Sequence, residues 1–152
     1  RRSSRGAPGR VGSVVTLWGR FGSRLEAAAL LLVAGPAYRL LPTNTFLRWW
    51  TPPPRRRCGM RVVDVDGLAR AVDDVLAVSR RRNCLTRSLM LYRMLRRRGV
   101  EVELRIGVRR EGAEGIAGHA WLLLDGSPCC PYGPDPSGYV VTLDYPNEGP
   151  DH

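Results

Sequence analysis

The chain has 152 residues, enough for one domain with a single modest core, and little sequence is left for a second folding unit. Its formal net charge is +10, and all 24 of its basic residues are Arg. This charge raises the question of a nucleic-acid partner, but the Arg triplets at 55–57, 80–82 and 96–98 lack the interleaved aromatic side chains of a stacking surface. We therefore expect solvated basic faces and no nucleic-acid partner.

The four cysteines are Cys58, Cys84 and the adjacent pair Cys129 and Cys130. They are too few and too irregularly spaced for a disulfide scaffold, so we expect a reducing, cytoplasmic compartment. Adjacent cysteines rarely bridge, and the role of this pair stays open. No Cys-x-x-Cys or His-x-x-x-His spacing indicates zinc, so we expect no metal ion and no other cofactor.

Residues 1–12 form an Arg- and Gly-rich tail with too little apolar surface to fold, and we expect it to be disordered. Residues 13–57 are predicted to be an N-terminal helical lobe with a proline-rich spacer. Its main element is a packing helix over Val14–Leu41, kinked at Pro36. Phe46, Trp49 and Trp50 form an aromatic cluster ahead of the prolines at 52–54.

The apolar run Leu25–Ala34 has ten residues, whereas a membrane helix needs about 20, so we expect no membrane span. A signal peptide is the alternative, because Arg24 precedes the run and small residues follow it. Glu26 and the continued apolar pattern at 39–41 favour a packing helix. Whether that helix contacts a membrane or a partner stays open, although the favoured interpretation has no membrane contact.

The second predicted unit covers 58–145, followed by a flexible tail at 146–152. Asp66 is the predicted cap of a helix that ends near Ser79, with inward residues at 68, 71, 72, 75, 76 and 78. Asn83 is the predicted cap of the next helix, which Gly99 ends.

Alternating apolar residues predict strands over Val100–Val108 and Gly118–Leu124, joined by a polar connection at 109–118. Asp125-Gly126 is a strong signal for a tight turn, which pairs Leu124 with Ser127. His119, Trp121 and Leu123 then share one face of the second strand.

Cys84 and His119 are the candidate catalytic residues. A thiol in the first turn of a helix feels the positive end of the helix dipole, which favours the nucleophilic thiolate. Imidazole is suited to exchange that proton near neutral pH, so the pair indicates cysteine-dependent acyl chemistry. The Cys84 backbone N–H is the first candidate oxyanion donor, and a second is not identified.

The third catalytic residue is assigned to Asp135. Continuing the hairpin pairing brings residues near 131 and 132 opposite His119, where a carboxylate or amide would orient the imidazole. Proline invites a bulge there, which would move Asp135 into register. Asp125 is the alternative, although it belongs to the turn at the far end of the strand.

Several motifs together resemble the transglutaminase-like leader peptidases of lasso-peptide biosynthesis, over roughly residues 66–132. The motifs are Cys84-Leu85-Thr86-Arg87-Ser88-Leu89, Tyr92-Arg93-Met94-Leu95-Arg96-Arg97-Arg98-Gly99-Val100, Leu104-Arg105-Ile106-Gly107-Val108-Arg109, His119-Ala120-Trp121 and Asp125-Gly126. As a combination these motifs are specific, whereas each alone would be weak.

The resemblance implies an α+β, papain-like fold in which a nucleophile helix packs on a small antiparallel sheet, preceded by the helical lobe. It implies a protease with Cys84 as nucleophile and His119 as base, acting on a ribosomally made precursor peptide. The implied partners are a small leader-binding protein and an asparagine-synthetase-like cyclase that closes the freed amine onto an acidic side chain. The family's acidic position falls on the proline-rich stretch of this chain.

Two other functions stay open. A transglutaminase-type acyltransferase would use the same Cys84 and His119 but would pass the acyl group to an amine rather than to water. A binding module with the same fold would have no catalysis at all, which the displaced acidic residue makes credible.

Overall fold

In a computed structural model of the protein, the described residues are 11–53, 63–79, 83–112, 115–130 and 133–146. The described helices are α1 (Val11–Leu40), α2 (Thr43–Trp50), α3 (Val65–Ser79) and α4 (Cys84–Arg97). The strands are β1 (Val102–Glu111), β2 (Gly115–Leu124), β3 (Ser127–Cys129) and β4 (Val140–Tyr145), which form one antiparallel sheet in the order β3-β2-β1-β4. The expected α+β class is confirmed.

Helix α1 covers the packing helix that the sequence predicts and continues through Pro36. It begins at Val11, so the last two residues of the predicted tail are helical, whereas residues 1–10 lie outside the described part. Its buried residues include Ala27 and Ala34, and the helix packs on α3 and α4. Within the described residues, no helix combines the length and the hydrophobicity that crossing a membrane requires.

The aromatic cluster is confirmed, and it lies on a helix that the sequence analysis did not anticipate. Phe46 and Trp50 on α2 are fully buried, with ring centroids 5.3 Å apart. Trp50 also donates its indole N–H to the backbone oxygen of Leu89 at 2.8 Å. Because both rings pack inside the core, α2 is fixed to α4.

The cap predicted for α3 is wrong by two residues. Asp64, just before the helix, accepts a hydrogen bond from the Gly67 N–H at 2.8 Å, whereas Asp66 lies inside the first turn. Val78 is also misassigned, since it is 87% exposed. Two residues along a helix correspond to a rotation of about 200°, so Val78 points away from the core-facing Leu76.

Helix α4 begins and ends where the sequence predicts. The Asn83 Oδ1 accepts a hydrogen bond from the Thr86 N–H at 2.6 Å. Leu89, Tyr92 and Leu95 are buried, and Gly99 follows the helix with φ of 78°, a left-handed conformation that glycine adopts without steric cost.

The two long strands extend further than predicted and replace most of the polar connection at 109–118. Antiparallel pairing continues through Arg109↔Ala117 to Glu111↔Gly115, because ladder hydrogen bonds do not depend on side-chain polarity. The Asp125-Gly126 turn is confirmed, with φ of 50° and 75° and with Leu124 paired to Ser127. Strand β4, which pairs with β1, was not predicted.

One hydrophobic cluster joins α1 and α2 to α3, α4 and the sheet. The helices of the predicted N-terminal lobe therefore share a core with the predicted protease domain. The proposed boundary at residue 58 lies outside the described residues, as does the tail beyond residue 146.

Candidate active site

The structure places Cys84 at the first position of α4, directly after the capping residue Asn83. Its thiol is free and half-buried. The first N–H groups of a helix have no partner within the helix, and Asn83 takes up only that of Thr86. This end of α4 therefore offers a thiol beside the positive pole of the helix.

A hydrogen bond ties the beginning of α4 to the strand that carries His119. The Ser88 hydroxyl donates to the backbone oxygen of Ala120 at 3.0 Å, and both residues are buried. Ser88 lies one helical turn after Cys84, on the same side of the helix. The contact thus brings the helix side that carries Cys84 toward the residue next to His119.

The His119 imidazole belongs to a cluster of three mutually contacting rings and is only 4% exposed. It stacks on Trp121 at 5.7 Å between ring centroids and meets the Tyr139 ring at 5.3 Å. The Arg109 guanidinium lies 4.8 Å from the centroid of the Tyr139 ring. Burial, and secondarily the positive charge of Arg109, lowers the pKa of His119, which keeps the imidazole neutral.

Because Gly107 has no side chain, Trp121 and Tyr139 can pack closely against its backbone. Gly107 pairs with His119 across β1 and β2, and an added Cβ would lie 2.9 Å from the Val140 oxygen and 3.0 Å from Trp121. Gly107, Arg109 and Tyr139 were not among the predicted site residues. The sequence does carry a signal for Gly107, because a glycine inside a strand marks a position where another part of the protein approaches the backbone closely.

His119 lines a cavity of about 390 Å³ together with Arg87, Ser88, Cys130 and Asp135, among others. Strand β3 ends at Cys129, and the next residue has a left-handed φ of 53°. The chain then returns to the imidazole, so that a Cβ on Gly133 would lie 3.3 Å from the His119 Cε1. Residues 133–136 therefore form a wall of the cavity, whereas residues 131 and 132, predicted to lie opposite His119, are outside the described residues.

The structure brings His119 and Asp135 to one cavity without joining them. The Asp135 carboxylate is exposed and accepts a hydrogen bond from the Ser137 N–H at 2.9 Å, which lowers its pKa. Asp125 lies in the turn at the other end of β2. Among the described residues, no hydrogen bond links His119 to Cys84, Asp125 or Asp135.

Arg87 connects three parts of the site. Its side chain donates to both carboxylate oxygens of Asp73 on α3, at 2.6 and 3.1 Å, and to the Cys130 backbone oxygen at 2.9 Å. Arg87 is only 5% exposed, so its charge is compensated inside the protein rather than by bulk water. Arg87 thereby holds Cys130, which follows β3, against the first turns of α4.

The adjacent cysteines both line this cavity as free thiols. A hydrogen bond between the thiols raises the pKa of Cys129 and lowers that of Cys130, with Arg87 adding to the second effect. Across the described ranges, no three His, Cys, Asp or Glu side chains are grouped closely enough to hold a metal ion.

A thiol at a helix N-terminus, a neutral imidazole and a carboxylate are the groups that acyl transfer through a thioester requires. His119 and Asp135 line one cavity, whereas Cys84 lies outside its lining. A family profile described as the transglutaminase-like superfamily matches residues 25–143, which is most of the chain and includes α3, α4, β1 to β3 and the start of β4. No curated protein and no solved structure matches it. The chain therefore belongs to the transglutaminase-like superfamily.

Proposed function

We propose that this protein is a cytoplasmic cysteine peptidase that removes the leader from a ribosomally made lasso-peptide precursor. Its family is a cysteine protease and acyltransferase fold, and the motif combination around Cys84 and His119 supports the finer assignment. The observation that carries the proposal is the capped start of α4, a helix that is bonded through Ser88 to the strand of His119.

In the proposed reaction, His119 accepts the Cys84 proton and the sulfur attacks the scissile carbonyl of the precursor. The resulting oxyanion is stabilised by the Cys84 backbone N–H. His119 then protonates the leaving amine of the core peptide, which leaves a thioester on Cys84, and water hydrolyses it to release the leader as an acid. Asp135 is the proposed orienting group, and Asp125 is the alternative.

The proposed partners follow from that reaction. A small leader-binding protein would present the precursor, as the motif resemblance implies. The product is a core peptide with a free N-terminal amine. An asparagine-synthetase-like cyclase would then join that amine to an acidic side chain of the same peptide.

The direct test is cleavage of a synthetic precursor from the neighbouring genes, with the leader-binding protein present, followed by mass spectrometry. We expect Cys84→Ala to abolish cleavage and Cys130→Ala, which removes another thiol at the cavity, to retain most of it. Cleavage that persists in Cys84→Ala would contradict the proposal.

Product analysis separates the other two functions. An acyltransferase would give a leader amide when a primary amine is added, whereas the peptidase gives the free acid. A binding module would bind the precursor without altering its mass. Asp135→Ala and Asp125→Ala, compared with each other, should lower kcat only for the residue that orients His119, and we expect that residue to be Asp135.

A further inference from the structure

A second, larger cavity adjoins the start of α4 on another side of the helix. This cavity, the α1–α4 groove, has a volume of about 790 Å³, within the range of ligand sites in proteins. Its walls are the C-terminal part of α1, over residues 34–40, and the first turns of α4. Asn83 and Leu85, which precede and follow Cys84, both line it.

The first turns of α4, which carry Cys84, border two cavities, although Cys84 itself lines neither. The residues three and four positions after it, Arg87 and Ser88, line the cavity of His119, whereas Leu85 and Thr86 line the α1–α4 groove. A peptide whose scissile bond lies at the Cys84 sulfur extends in both directions from that bond. The groove provides room for one of those directions.

The lining of the groove is mostly apolar. Ala34 and Leu89 are buried in its walls, and Pro36 and Tyr38 are exposed. Leu40 also lines it and is 81% exposed. Large apolar side chains exposed at the edge of a concave surface indicate a binding site, because a partner would remove them from water.

A single charge accompanies this apolar lining. Arg39 is the one charged side chain among the described residues that line the groove, and within the described part of the chain it forms no ion pair. Combined with the net charge of +10, it favours a ligand that carries a carboxylate next to its apolar side chain.

We infer that the α1–α4 groove binds the stretch of the peptide substrate beside the scissile bond, taking an apolar side chain that is followed by an acidic one. This inference rests on the proposed function and specifies the substrate that the site would accept. Leu40 contacts the apolar side chain, and Arg39 pairs with the carboxylate.

The test is a two-dimensional NMR titration of the Cys84→Ala protein with three synthetic nonapeptides. Each has Gly and Ser residues around a central Leu-Leu-Glu, Ser-Ser-Glu or Leu-Leu-Lys. We expect Leu-Leu-Glu to bind most tightly and to shift the amide signals of Arg39 and Thr86 but not that of Leu32. Because this variant cannot turn over substrate, the titration tests the groove even if no cleavage is ever found.

Leu40→Glu and Leu32→Glu form a matched pair, since both leucines lie on α1 with 81% and 78% exposure but only Leu40 lines the groove. We expect Leu40→Glu to raise the Kd for Leu-Leu-Glu about tenfold and Leu32→Glu to leave it unchanged. Equal effects of the two changes, or shifts confined to residues outside the groove, would overturn the inference.

A second matched pair of variants tests the role of the Arg39 charge. Arg39→Glu should remove the preference for Leu-Leu-Glu over Leu-Leu-Lys, an effect of about threefold for an exposed pair, whereas Arg48→Glu outside the groove should retain it. If light scattering finds a wild-type dimer that Leu40→Glu converts to a monomer, a second copy fills the groove and the inference is overturned.

Discussion

The ionisation of His119 is set by its immediate neighbours. The ring is buried against Trp121 and Tyr139, and the nearby Arg109 is positive. Both the burial and the charge oppose protonation, so the pKa lies below the ordinary value of 6.5. A neutral imidazole can accept a thiol proton, which is the task that the proposed mechanism gives it.

This environment predicts the pH dependence of cleavage. Below its pKa His119 is protonated and cannot act as a base, so the acid limb of kcat/KM should lie below pH 6.5. Arg109→Gln removes a charge that lowers the pKa, so the limb should move to higher pH. Arg110→Gln, at the next position along β1, is the control and should leave it in place. An acid limb that is identical in Arg109→Gln and wild type would contradict this account.

The close packing around Gly107 predicts that a larger residue at this position destabilises the fold. An added methyl group would lie 2.9 Å from the Val140 backbone oxygen, which cannot move without shifting β4, and 3.1 Å from the Tyr139 Cβ. Overpacking of this kind costs about 1–3 kcal/mol of the free energy of unfolding, so Gly107→Ala should lower Tm by several degrees in a thermal melt.

The matched change for Gly107→Ala is Gly118→Ala on the neighbouring strand. A Cβ at Gly118 meets no atom within 4 Å, so we expect an unchanged or slightly higher Tm. Equal losses in the two variants would mean that close approach to Val140 and Tyr139 does not explain Gly107.

Sequence patterns single out candidate catalytic residues, whereas the contacts of those residues depend on the fold. Cys84 and His119 were selected because their chemistry and local structure are visible in the sequence. The hydrogen bond from the Ser137 N–H to Asp135 depends on the path of the chain after β3. That path is determined by a left-handed Cys130 and by the anchor at Arg87, and neither follows from hydrophobic periodicity.

Among the helices and strands, α4 is the element on which the proposed chemistry depends, because Cys84 lies at its start. The Asn83 side chain satisfies the Thr86 N–H and fixes where the helix begins, so that Cys84 occupies its first position. Without that bond, the first turn would be freer to unwind, and the thiol would lose both its location and its favourable electrostatic surroundings.

Removing the cap should therefore affect stability and thiol reactivity together. Asn83→Ala is expected to cost about 1 kcal/mol of the free energy of unfolding, measured by denaturant titration. The rate at which iodoacetamide alkylates Cys84 at neutral pH should fall, measured by peptide mapping. Asn83→Asp keeps an acceptor and should retain the stability. A rate unchanged in Asn83→Ala would show that the cap does not support the thiol.

Local signals explain which elements could be predicted. Asn83, Gly99 and the Asp125-Gly126 turn act over three or four residues, and all three were placed correctly. The start of α3 was misplaced because Asp64 and Asp66 are both acceptable caps. Strand β4 was missed because its residues are exposed or half-buried, without a regular alternation, and gain their place by pairing with β1.

For the molecule as a whole, Arg87 joins elements that are far apart in sequence. It connects α4 to Asp73 on α3 and to Cys130 at the end of the hairpin. This contact and the Ser88 hydrogen bond to Ala120 hold the helices and the sheet edge around one cavity. The position of the cavity wall near His119 therefore depends on the buried Arg87 guanidinium, which is bonded to Asp73 and Cys130.

Breaking this ion pair from one side should destabilise the whole domain. Asp73→Asn leaves the Arg87 charge buried with a weaker partner, at a cost on the order of 2–3 kcal/mol, less than for a fully buried pair because the Asp73 side chain is 39% exposed. Asp74→Asn is the matched control, since Asp74 pairs with Arg24 on the surface and its loss should cost less than about 1 kcal/mol.

The double variant Asp73→Asn/Arg87→Met distinguishes a buried charge pair from two independent contacts. Since it removes the buried charge together with its carboxylate partner, its loss of unfolding free energy should be smaller than the sum of the two single losses, measured by denaturant titration. Cleavage should nevertheless remain impaired in the double variant, because the Cys130 oxygen loses its donor and the wall beside His119 is no longer anchored. Additive losses of stability, or full cleavage activity in the double variant, would contradict the role of Arg87 as the anchor of that wall.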